Sequence, residues 1–358
     1  MKNRIVGFDL ARAYAIFGMF IVNFNTVFGS HTATTGLNGF LNLFNGRSSS
    51  TFVILAGMGV ALMTNRDQYS ALEKSVLRRK VVARSWFLFV LGLLLYSWWP
   101  ADILHFYGGY MHIVALVLFV PKRVYLWVAG AVIAVFHGLF FLIPFDAGWD
   151  STTLQYTDFW TIRGFLRNTL YNGWNPISPW LAYFLLGMWL GRLNWQQGRV
   201  RAWVFGVGAV VFGLVSAGQH WAGQQPLNPN LKLFLTANYL PPFLPFLLST
   251  MGFALMLLLV CFEIGICFAN TALMRALTAT GQMTLTHYVA HLTLGIGLFW
   301  AITGHAYTGT MNEQAPESAG LVLGFSAVFF VLSVVFSLVW NRRFRHGPLE
   351  TLMRTVTG

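Results

Sequence analysis

The sequence predicts an all-α integral membrane protein: a polytopic bundle of about ten transmembrane helices, both termini cytoplasmic, with residues 1–358 forming a single transmembrane domain. Three observations support this class. Of the residues, 56% are hydrophobic and only 9% are charged, whereas about 25% are charged in a typical soluble domain. The apolar residues form separate runs of roughly the length that crosses a bilayer. The basic residues are concentrated on alternate sides of those runs.

The apolar runs define ten predicted spans. In the first span, the apolar run that follows Arg12 is broken only by Asn23 and Asn25. The third and fourth are short for a hydrocarbon core about 30 Å thick, so they are expected either to tilt little or to form a bent pair around residues 100–109. The ten spans are 10–29, 49–64, 85–99, 110–120, 125–143, 176–194, 202–219, 241–264, 281–303 and 320–340. Together they leave little room for a separate soluble domain.

The basic residues predict the orientation. The chain has 23 lysines and arginines and a formal net charge of +12. With the N-terminus inside and the spans alternating, the outer segments contain only Arg47, Arg163, Arg167 and Lys232. This bias follows the positive-inside rule and predicts cytoplasmic termini. Because the basic residues lie in short loops between apolar runs, we expect the lipid bilayer to be a partner and nucleic acid not to be one.

An acid, a histidine and a tyrosine cluster on the predicted outer side, within residues 99–109. Asp102 and His105 are three residues apart, so one helical turn places them on the same face. A carboxylate beside an imidazole can fix its tautomer and raise its basicity, as a general base requires. Tyr107 lies in the same segment, which Pro100 precedes, and broken backbone at membrane depth is tolerated where it lines a cavity. The alternative is an interfacial loop in which Asp102 caps a short helix.

His31 lies on the same predicted side, just beyond the first span. A single histidine at a helix end is usually solvated, and the interest of this one comes from sharing a side with Asp102 and His105. The longer outer connections are 30–48, 144–175, 220–240 and 304–319, and three of them are rich in Trp, Tyr, Asn and Gly. They could form a lid over an outer site or an ordinary aromatic belt at the membrane interface.

A second set of polar residues lies on the predicted inner side. Asp9 and Arg12 are one turn apart at the start of the first span, and His287 and His291 are spaced i, i+4 on the ninth. Such a histidine pair could bind a metal or haem, but no Cys, Asp or Glu accompanies it at ligand spacing, so no metal site is predicted. Hydrogen bonds across the bundle and a place in a substrate cavity both remain open for this pair.

Separated motifs along nearly the whole chain resemble the bacterial YeiB-like family of membrane proteins. The opening Arg4-Ile-Val-Gly-Phe-Asp9-Leu-Ala-Arg12 resembles the start of that family, as do Gly46-Arg47-Ser48 and Asp102-Ile-Leu. The most specific resemblance is near the end, in Gly281-Gln-Met-Thr-Leu-Thr-His-Tyr and Gly347-Pro-Leu-Glu350. The family is largely uncharacterised, but it is similar to heparan-alpha-glucosaminide N-acetyltransferase and to other transmembrane acyltransferases.

The resemblance implies an acyltransferase of the bacterial cytoplasmic (inner) membrane. It would move an acyl (acetyl) group from cytoplasmic acyl-CoA to an extracytoplasmic acceptor, a small molecule or a glycan, and the relatives allow a homodimer. In those relatives the first helix carries an Asp-x-x-Arg start, an Asn near its outer end and, just beyond, a histidine implicated in acyl transfer. Asp9, Arg12, Asn23 and His31 are similar in order, although the spacing to His31 differs.

The implied roles fall into three groups. His31 or His105 would be the base, assisted by Asp102, with Asn23 or a backbone N–H stabilising the oxyanion. The phosphates of coenzyme A (acetyl-CoA) would bind in a basic inner vestibule. The residues expected in that vestibule are Asp9, Arg12, Arg78, Arg79 and Lys80, and those expected in the substrate cavity are Arg47, Tyr107, His287 and His291.

Two other classes of function remain open from the sequence. A transporter or exporter of a small molecule or lipid could use the same polar residues and the same aromatic outer connections. The two halves of the chain show no convincing internal repeat, which disfavours this reading. A haem- or metal-handling protein would use His287 and His291 as ligands.

Overall fold

The computed structural model describes residues 5–29, 35–66, 68–304 and 316–358. These residues form helices joined by turns and loops, and the isolated bridge between Trp149 and Tyr156 is the β-type pairing among them. The all-α prediction is confirmed. The chain divides into two compact units. The terminal unit contains Met1–Phe52, Thr152–Leu154 and Leu257–Val356, and the central unit contains Val53–Ser151, Gln155–Met256 and Thr357–Gly358. That residues 1–358 form one transmembrane domain stays a prediction.

The helices are numbered in chain order, with two short π-helical segments named separately. The first half contains α1 (Val6–Phe28), α2 (Gly36–Asn42), α3 (Arg47–Met63), α4 (Ala71–Tyr96), α5 (Leu104–Leu116), α6 (Lys122–Leu142), α7 (Ile162–Arg167) and π1 (Asn168–Asn172). The second half contains α8 (Ile177–Leu190), α9 (Gly198–Gln224), α10 (Pro229–Leu235), α11 (Leu244–Cys267), α12 (Ala272–Gly281), α13 (Thr284–Ala290), π2 (His291–Gly295), α14 (Ile296–Thr303), α15 (Ala319–Asn341) and α16 (Pro348–Thr357).

Within the described ranges, seven helical stretches are long and apolar enough to cross a membrane. They are α1, α2 with α3, α6, α9, α11, α13 through α14, and α15. Each corresponds to one of the ten predicted spans. The other three fall in α4, whose first half is charged, and in α5 and α8, which have only 13 and 14 residues. The chain is therefore helical and of the multi-pass membrane type. The count of ten transmembrane helices and the cytoplasmic position of both termini stay predictions.

In the terminal unit, α1 is packed on several sides by α12, α13 and α15. Two glycines allow neighbouring helices to approach α1 closely. A Cβ at Gly7 of α1 would collide with the backbone of α11, and a Cβ at Gly281 of α12 would collide with the carbonyl of Asp9. Between α1 and α15 the core is aromatic: Phe20 and Phe24 lie against Phe329 with ring centroids 5.1 and 5.9 Å away.

In the central unit, α4 and α5 form a tightly packed helical pair, and α6 packs on α8. Gly92 of α4 leaves no room for a Cβ beside the backbone of His105, and Gly108 of α5 is equally close to Phe89. The Ser85 hydroxyl donates to the Gly108 carbonyl at 2.6 Å across this contact. Small residues at a helix interface allow close van der Waals packing in lipid. The pair thereby buries most of α5, including its first turn.

Candidate functional site

The structure brings Asp102 and His105 together at the start of α5. One carboxylate oxygen, Asp102 Oδ2, accepts from the His105 backbone N–H at 3.0 Å and from the His105 ring at Nδ1, 3.1 Å away. Both side chains have no exposed surface. The carboxylate therefore has both of the roles predicted from the sequence. It accepts from a free N–H in the first helical turn, as a helix cap does, and it also orients the imidazole.

The other ring nitrogen of His105 is available. Because a carboxylate accepts hydrogen bonds, Nδ1 carries the proton, which leaves a lone pair on Nε2. Within the described part of the chain, Nε2 is buried and has no hydrogen-bond partner. Phe106 lies with its ring centroid 3.8 Å from that of the imidazole, and Tyr96 and Phe159 lie 5.7 and 5.9 Å away. A fixed tautomer with a free Nε2 in an apolar enclosure is the arrangement of a general base.

Further unpartnered polar atoms lie in the neighbouring π1 and α8. Both amide atoms of Asn168, the Thr169 hydroxyl and the Trp180 indole N–H are buried and lack partners among the described residues. Leaving a buried polar group unpaired costs about 1–3 kcal/mol. Asn168 lies near Phe106, the residue that follows His105, because a Cβ at Gly173 would collide with both the Asn168 side chain and the Phe106 ring. A π-helical segment is itself frequent at functional sites.

Hydrogen bonds with little exposure to solvent hold π1 in place. The Asn172 amide donates to the carbonyls of Phe145 and Ala147 at 2.8 Å each, and its oxygen accepts from the Tyr156 hydroxyl at 2.7 Å. The Arg167 Nε–H donates to that same hydroxyl at 2.7 Å. Burial raises the pKa of Tyr156, although Arg167 opposes the shift. Tyr156 therefore remains a neutral hydroxyl that links the preceding connection to π1.

A tyrosine cluster continues the polar region toward α8. The Tyr110 hydroxyl donates to the Asn175 carbonyl at 2.5 Å, and the Asn175 amide donates to the Tyr239 hydroxyl at 2.8 Å. Tyr107, one of the residues predicted for the substrate cavity, is buried with its ring centroid 5.7 Å from that of Tyr110. The segment predicted from residues 99–109 thus lies beside π1 and the start of α8.

In the terminal unit, Asn23 of α1 is paired with His291, the first residue of π2. The Asn23 amide and His291 Nε2 are 2.8 Å apart, and His291 Nδ1 lies 3.2 Å from the His287 carbonyl. Since a carbonyl only accepts, Nδ1 carries the proton and Nε2 accepts from the amide. Both ring nitrogens of His291 are therefore used inside the bundle.

His287 is similarly engaged with α15. Its Nε2 lies 2.8 Å from the Ser337 hydroxyl, which itself donates to the Ser333 carbonyl at 2.8 Å. His287 Nε2 must therefore be the donor to Ser337. Within the described ranges, no group of three or more His, Cys, Asp or Glu side chains is placed to hold a metal ion.

The residues predicted for the inner vestibule are divided between the two units. In the terminal unit, buried Asp9 forms an ion pair with Arg12 at 2.6 Å and accepts from the Gln282 amide at 3.4 Å. In the central unit, the Arg78 Nε–H donates to the Ala115 carbonyl at 3.0 Å and so covers the C-terminal end of α5. The other two residues predicted for the vestibule follow Arg78 on α4: Arg79 is exposed and Lys80 is partly buried.

Two other predicted residues, His31 and Arg47, follow the first span in the sequence. His31 lies outside the described residues. Arg47 begins α3 and donates to the Leu43 carbonyl at 3.0 Å, and it also interacts electrostatically with Tyr14. Next to it, the buried Ser48 hydroxyl faces Gly18 of α1 and has no hydrogen-bond partner among the described residues.

Asn168, Thr169 and Trp180 were not among the residues predicted from the sequence. The available signal was the density of asparagines at positions 168, 172 and 175, immediately before an apolar run. That connection was interpreted only as a lid or an aromatic belt. Nothing local distinguishes Asn172, which is fully bonded, from Asn168, which is not.

The comparisons with known families cover both halves of the chain. Residues 4–222 match the family model described as heparan-alpha-glucosaminide N-acetyltransferase, catalytic, and residues 187–358 match the one described as protein of unknown function (DUF418). No curated protein matches the chain. The first match spans more than half of the chain and contains both Asp102 and His105, and the two matches confirm the YeiB-like resemblance. The chain therefore belongs to the heparan-alpha-glucosaminide N-acetyltransferase catalytic family, a transmembrane acetyltransferase type of protein.

Proposed function

We propose that the protein is a transmembrane acyltransferase that moves an acetyl group from cytoplasmic acetyl-CoA to a hydroxyl or amine on an extracytoplasmic acceptor. The observation that carries this proposal is the His105 imidazole, oriented by Asp102 through Nδ1 and free at Nε2 within the described residues. The family match supports the acetyltransferase chemistry. The acyl-CoA donor, the acceptor and the sides from which they enter are our inferences.

The proposed step uses His105 first as a base and then as an acid. Its Nε2 accepts the proton of the acceptor group while the acceptor oxygen or nitrogen forms a bond to the thioester carbonyl carbon. The C–S bond then breaks with its electron pair on sulfur, and the imidazolium returns the proton to that sulfur. The products are the acetylated acceptor and free coenzyme A, with no net proton lost. Such proton transfer typically contributes about 10²–10⁴-fold to the rate.

Asp102 and Asn168 have supporting roles in this proposal. Asp102 stabilises the positive charge that develops on the imidazole, because its Oδ2 faces Nδ1 at 3.1 Å in a fully buried pair. Asn168, whose amide N–H groups are unpartnered among the described residues, would stabilise the oxyanion of the tetrahedral intermediate. Asn23 was predicted for the same role and belongs with the alternative base His31 of the first-helix pattern; its bond to His291 uses only one of its amide hydrogens.

His31 remains the alternative base. The order of Asp9, Arg12, Asn23 and His31 is similar to that of the acyltransferase relatives, where a histidine after the first helix is implicated in acyl transfer. An experiment on both histidines decides between them.

The test measures acetyl transfer by purified protein in proteoliposomes. Radiolabelled acetyl-CoA is supplied on one side and methyl α-glucosaminide, as the probe acceptor, on the other. We expect labelled product with wild-type protein, and a decrease of about 100-fold or more in His105→Gln. The matched control is His137→Gln, a partly buried histidine of α6 whose ring bonds the Ile133 carbonyl of its own helix. We expect that control to stay within about threefold of wild type.

Three results would change this conclusion. A loss only in His31→Gln would move the base to His31. Movement of unmodified glucosaminide across the bilayer, with no label transferred, would favour the transporter alternative. If wild-type protein neither transfers acetyl groups nor hydrolyses acetyl-CoA, the acyltransferase proposal is wrong.

A further inference from the structure

A cleft of about 560 Å³ opens on the central unit and is lined largely by polar and basic side chains. None of the residues described around His105 lines it. It is formed by the loop before α4, the first turn of α4, the turn between α5 and α6, and the end of α8. Its lining residues are Thr64, Asn65, Arg66, Gln68, Tyr69, Lys74, Phe119, Val120, Lys122 and Arg192. Four of these are cations, and no described lining residue is an acid.

Arg192 builds one wall of the cleft. Its guanidinium donates to the Leu118 carbonyl at 2.6 Å, to the Val120 carbonyl at 3.4 Å and to the Tyr125 hydroxyl, and it lies 4.7 Å above the Tyr125 ring. A further N–H reaches Thr64 Oγ1 at 3.4 Å. The fork geometry of arginine suits such a multiple contact. Arg192 therefore fixes the turn that carries Phe119 and leaves the other three cations for a ligand.

Two of those three cations lie beside aromatic rings. The guanidinium of Arg66 lies 5.8 Å from the Tyr69 ring centroid, and the ammonium of Lys74 lies 5.9 Å from that of Phe119. The two rings are themselves 5.4 Å apart. Arg66 also pairs with Glu73 at 3.2 Å, but both side chains are largely exposed, so a ligand can replace that contact at little cost. Lys122 is exposed at the start of α6.

We propose that this cleft is a phosphate-binding site. Three cations that converge on a polar cleft provide charge-assisted hydrogen bonds to phosphate oxygens, and lysine acts there as a point charge. The volume suits a small ligand such as a nucleotide or a lipid headgroup. Arg66, Lys74, Lys122 and Arg192 all belong to segments that the charge pattern predicts to be cytoplasmic.

Two cytoplasmic sources carry this chemistry: the phosphorylated nucleotide of acyl-CoA and the headgroup of an anionic phospholipid. A site for the acyl-CoA nucleotide rests on the proposed function, whereas a site for a phospholipid headgroup does not. The basic residues of the sequence predict the nucleotide phosphates near Arg78, Arg79 and Lys80 instead. None of these three lines the cleft.

The experiment measures phosphate binding without turnover. Protein in nanodiscs of phosphatidylcholine is titrated calorimetrically with adenosine 3′,5′-bisphosphate. In a second arm, retention of phosphatidylglycerol by protein in mixed micelles is counted by native mass spectrometry. The variant is Lys74→Gln with Lys122→Gln, and the matched control is Arg123→Gln, an exposed neighbour on α6 that does not line the cleft. We expect a loss of about tenfold or more in affinity for the double variant and less than twofold for the control.

A loss confined to the bisphosphate arm identifies a nucleotide site, and a loss confined to the lipid arm identifies a headgroup site. Either result supports the proposal. If wild-type protein binds neither probe, or if the double variant and Arg123→Gln behave alike in both arms, the proposal is wrong. Acetyl transfer is measured separately. If the protein transfers acetyl groups but the cleft variant binds both probes as the control does, only this inference is refuted. If the protein binds a probe but transfers no acetyl group, only the acyltransferase proposal is refuted.

Discussion

His105 in the central unit and His291 in the terminal unit are both fully buried histidines, yet their hydrogen bonds differ in kind. His105 has a carboxylate at Nδ1 and no partner for Nε2 within the described residues. His291 has a carbonyl at Nδ1 and the Asn23 amide at Nε2. The first ring has an acidic neighbour and a free lone pair that can accept a proton, whereas the second ring has neither.

Burial and spacing therefore do not identify a catalytic histidine, because the second ring nitrogen decides what the ring can do. A histidine with both nitrogens engaged holds helices together, and its loss costs stability. A histidine with one free nitrogen and an acidic partner can move a proton, and its loss costs rate. Changes in the central unit should therefore reduce activity before stability, and changes in the terminal unit should reduce stability first.

The largest effect is expected for Asp102→Asn. An amide of the same shape can still face Nδ1, but it provides no negative charge to stabilise the imidazolium. We expect kcat for acetyl transfer to fall about 10²–10³-fold with little change in KM. Asp146→Asn, a change at an exposed aspartate of the same unit, is the control. Unchanged kcat in Asp102→Asn would remove the distinction between the two histidines.

The next effect concerns Glu350, which supports the helix that carries His287 and His291. Its carboxylate accepts from the backbone N–H groups of Leu285 and Thr286 at 2.7 and 3.2 Å and from the Thr286 hydroxyl at 2.5 Å. Glu350→Ala leaves these donors at the start of α13 unsatisfied, so we expect a loss of about 2–3 kcal/mol in the free energy of unfolding.

Reversible unfolding in mixed detergent micelles measures this loss. Glu350→Gln keeps one acceptor oxygen and should lose less, while Arg354→Ala, at an exposed position of the same helix, should be nearly neutral. A neutral Glu350→Ala would mean that α16 does not stabilise the terminal unit.

A smaller effect is expected for the pair Asn23 and His291. A double-mutant cycle of Asn23→Ala and His291→Ala should give a coupling of about 1 kcal/mol in the free energy of unfolding, typical of one buried hydrogen bond in a membrane bundle. Additive losses would show that the 2.8 Å contact contributes nothing. If His291→Ala instead abolished transfer without changing stability, the assignment of the two histidines would have to be reversed.

The smallest effect is a pH dependence from Glu350. Burial raises the pKa of this carboxyl above its ordinary 4.5, against the hydrogen bonds from Thr286 and Leu285. In the pH range between the unfolded and folded pKa values, the folded state binds more protons, so the free energy of unfolding decreases as pH rises above about 4.5. Glu350→Gln should abolish this decrease in unfolding titrations repeated across pH. An increase with pH in wild type would contradict the sign.

The long apolar helices were predictable because an apolar run is a local property. Spans 125–143 and 320–340 agree with α6 and α15 to within a few residues, and span 202–219 lies inside the longer α9. The helix that contains span 85–99 begins well before it, at Ala71 of α4. A capping box between Ser70 and Glu73 starts that helix in charged sequence, which an apolar window does not detect.

The candidate site was only partly predictable. The three-residue spacing of Asp102 and His105 was sufficient to place them on one turn, because that contact is local. The contact between Asn23 and His291 joins residues 268 positions apart, and its existence depends on how α1 packs against π2. Arg192 and Lys122 likewise meet in one cleft only after α6 and α8 have packed together.

A helical, multi-pass protein related to transmembrane acetyltransferases could be predicted from the sequence, since composition, run length and motif order are properties of the chain. Which buried polar groups have hydrogen-bond partners, and which have none among the described residues, depends on the tertiary structure. The physical reason is that a hydrogen bond in a bundle needs two groups from different helices at about 2.8 Å, and sequence spacing specifies that distance only within a single turn.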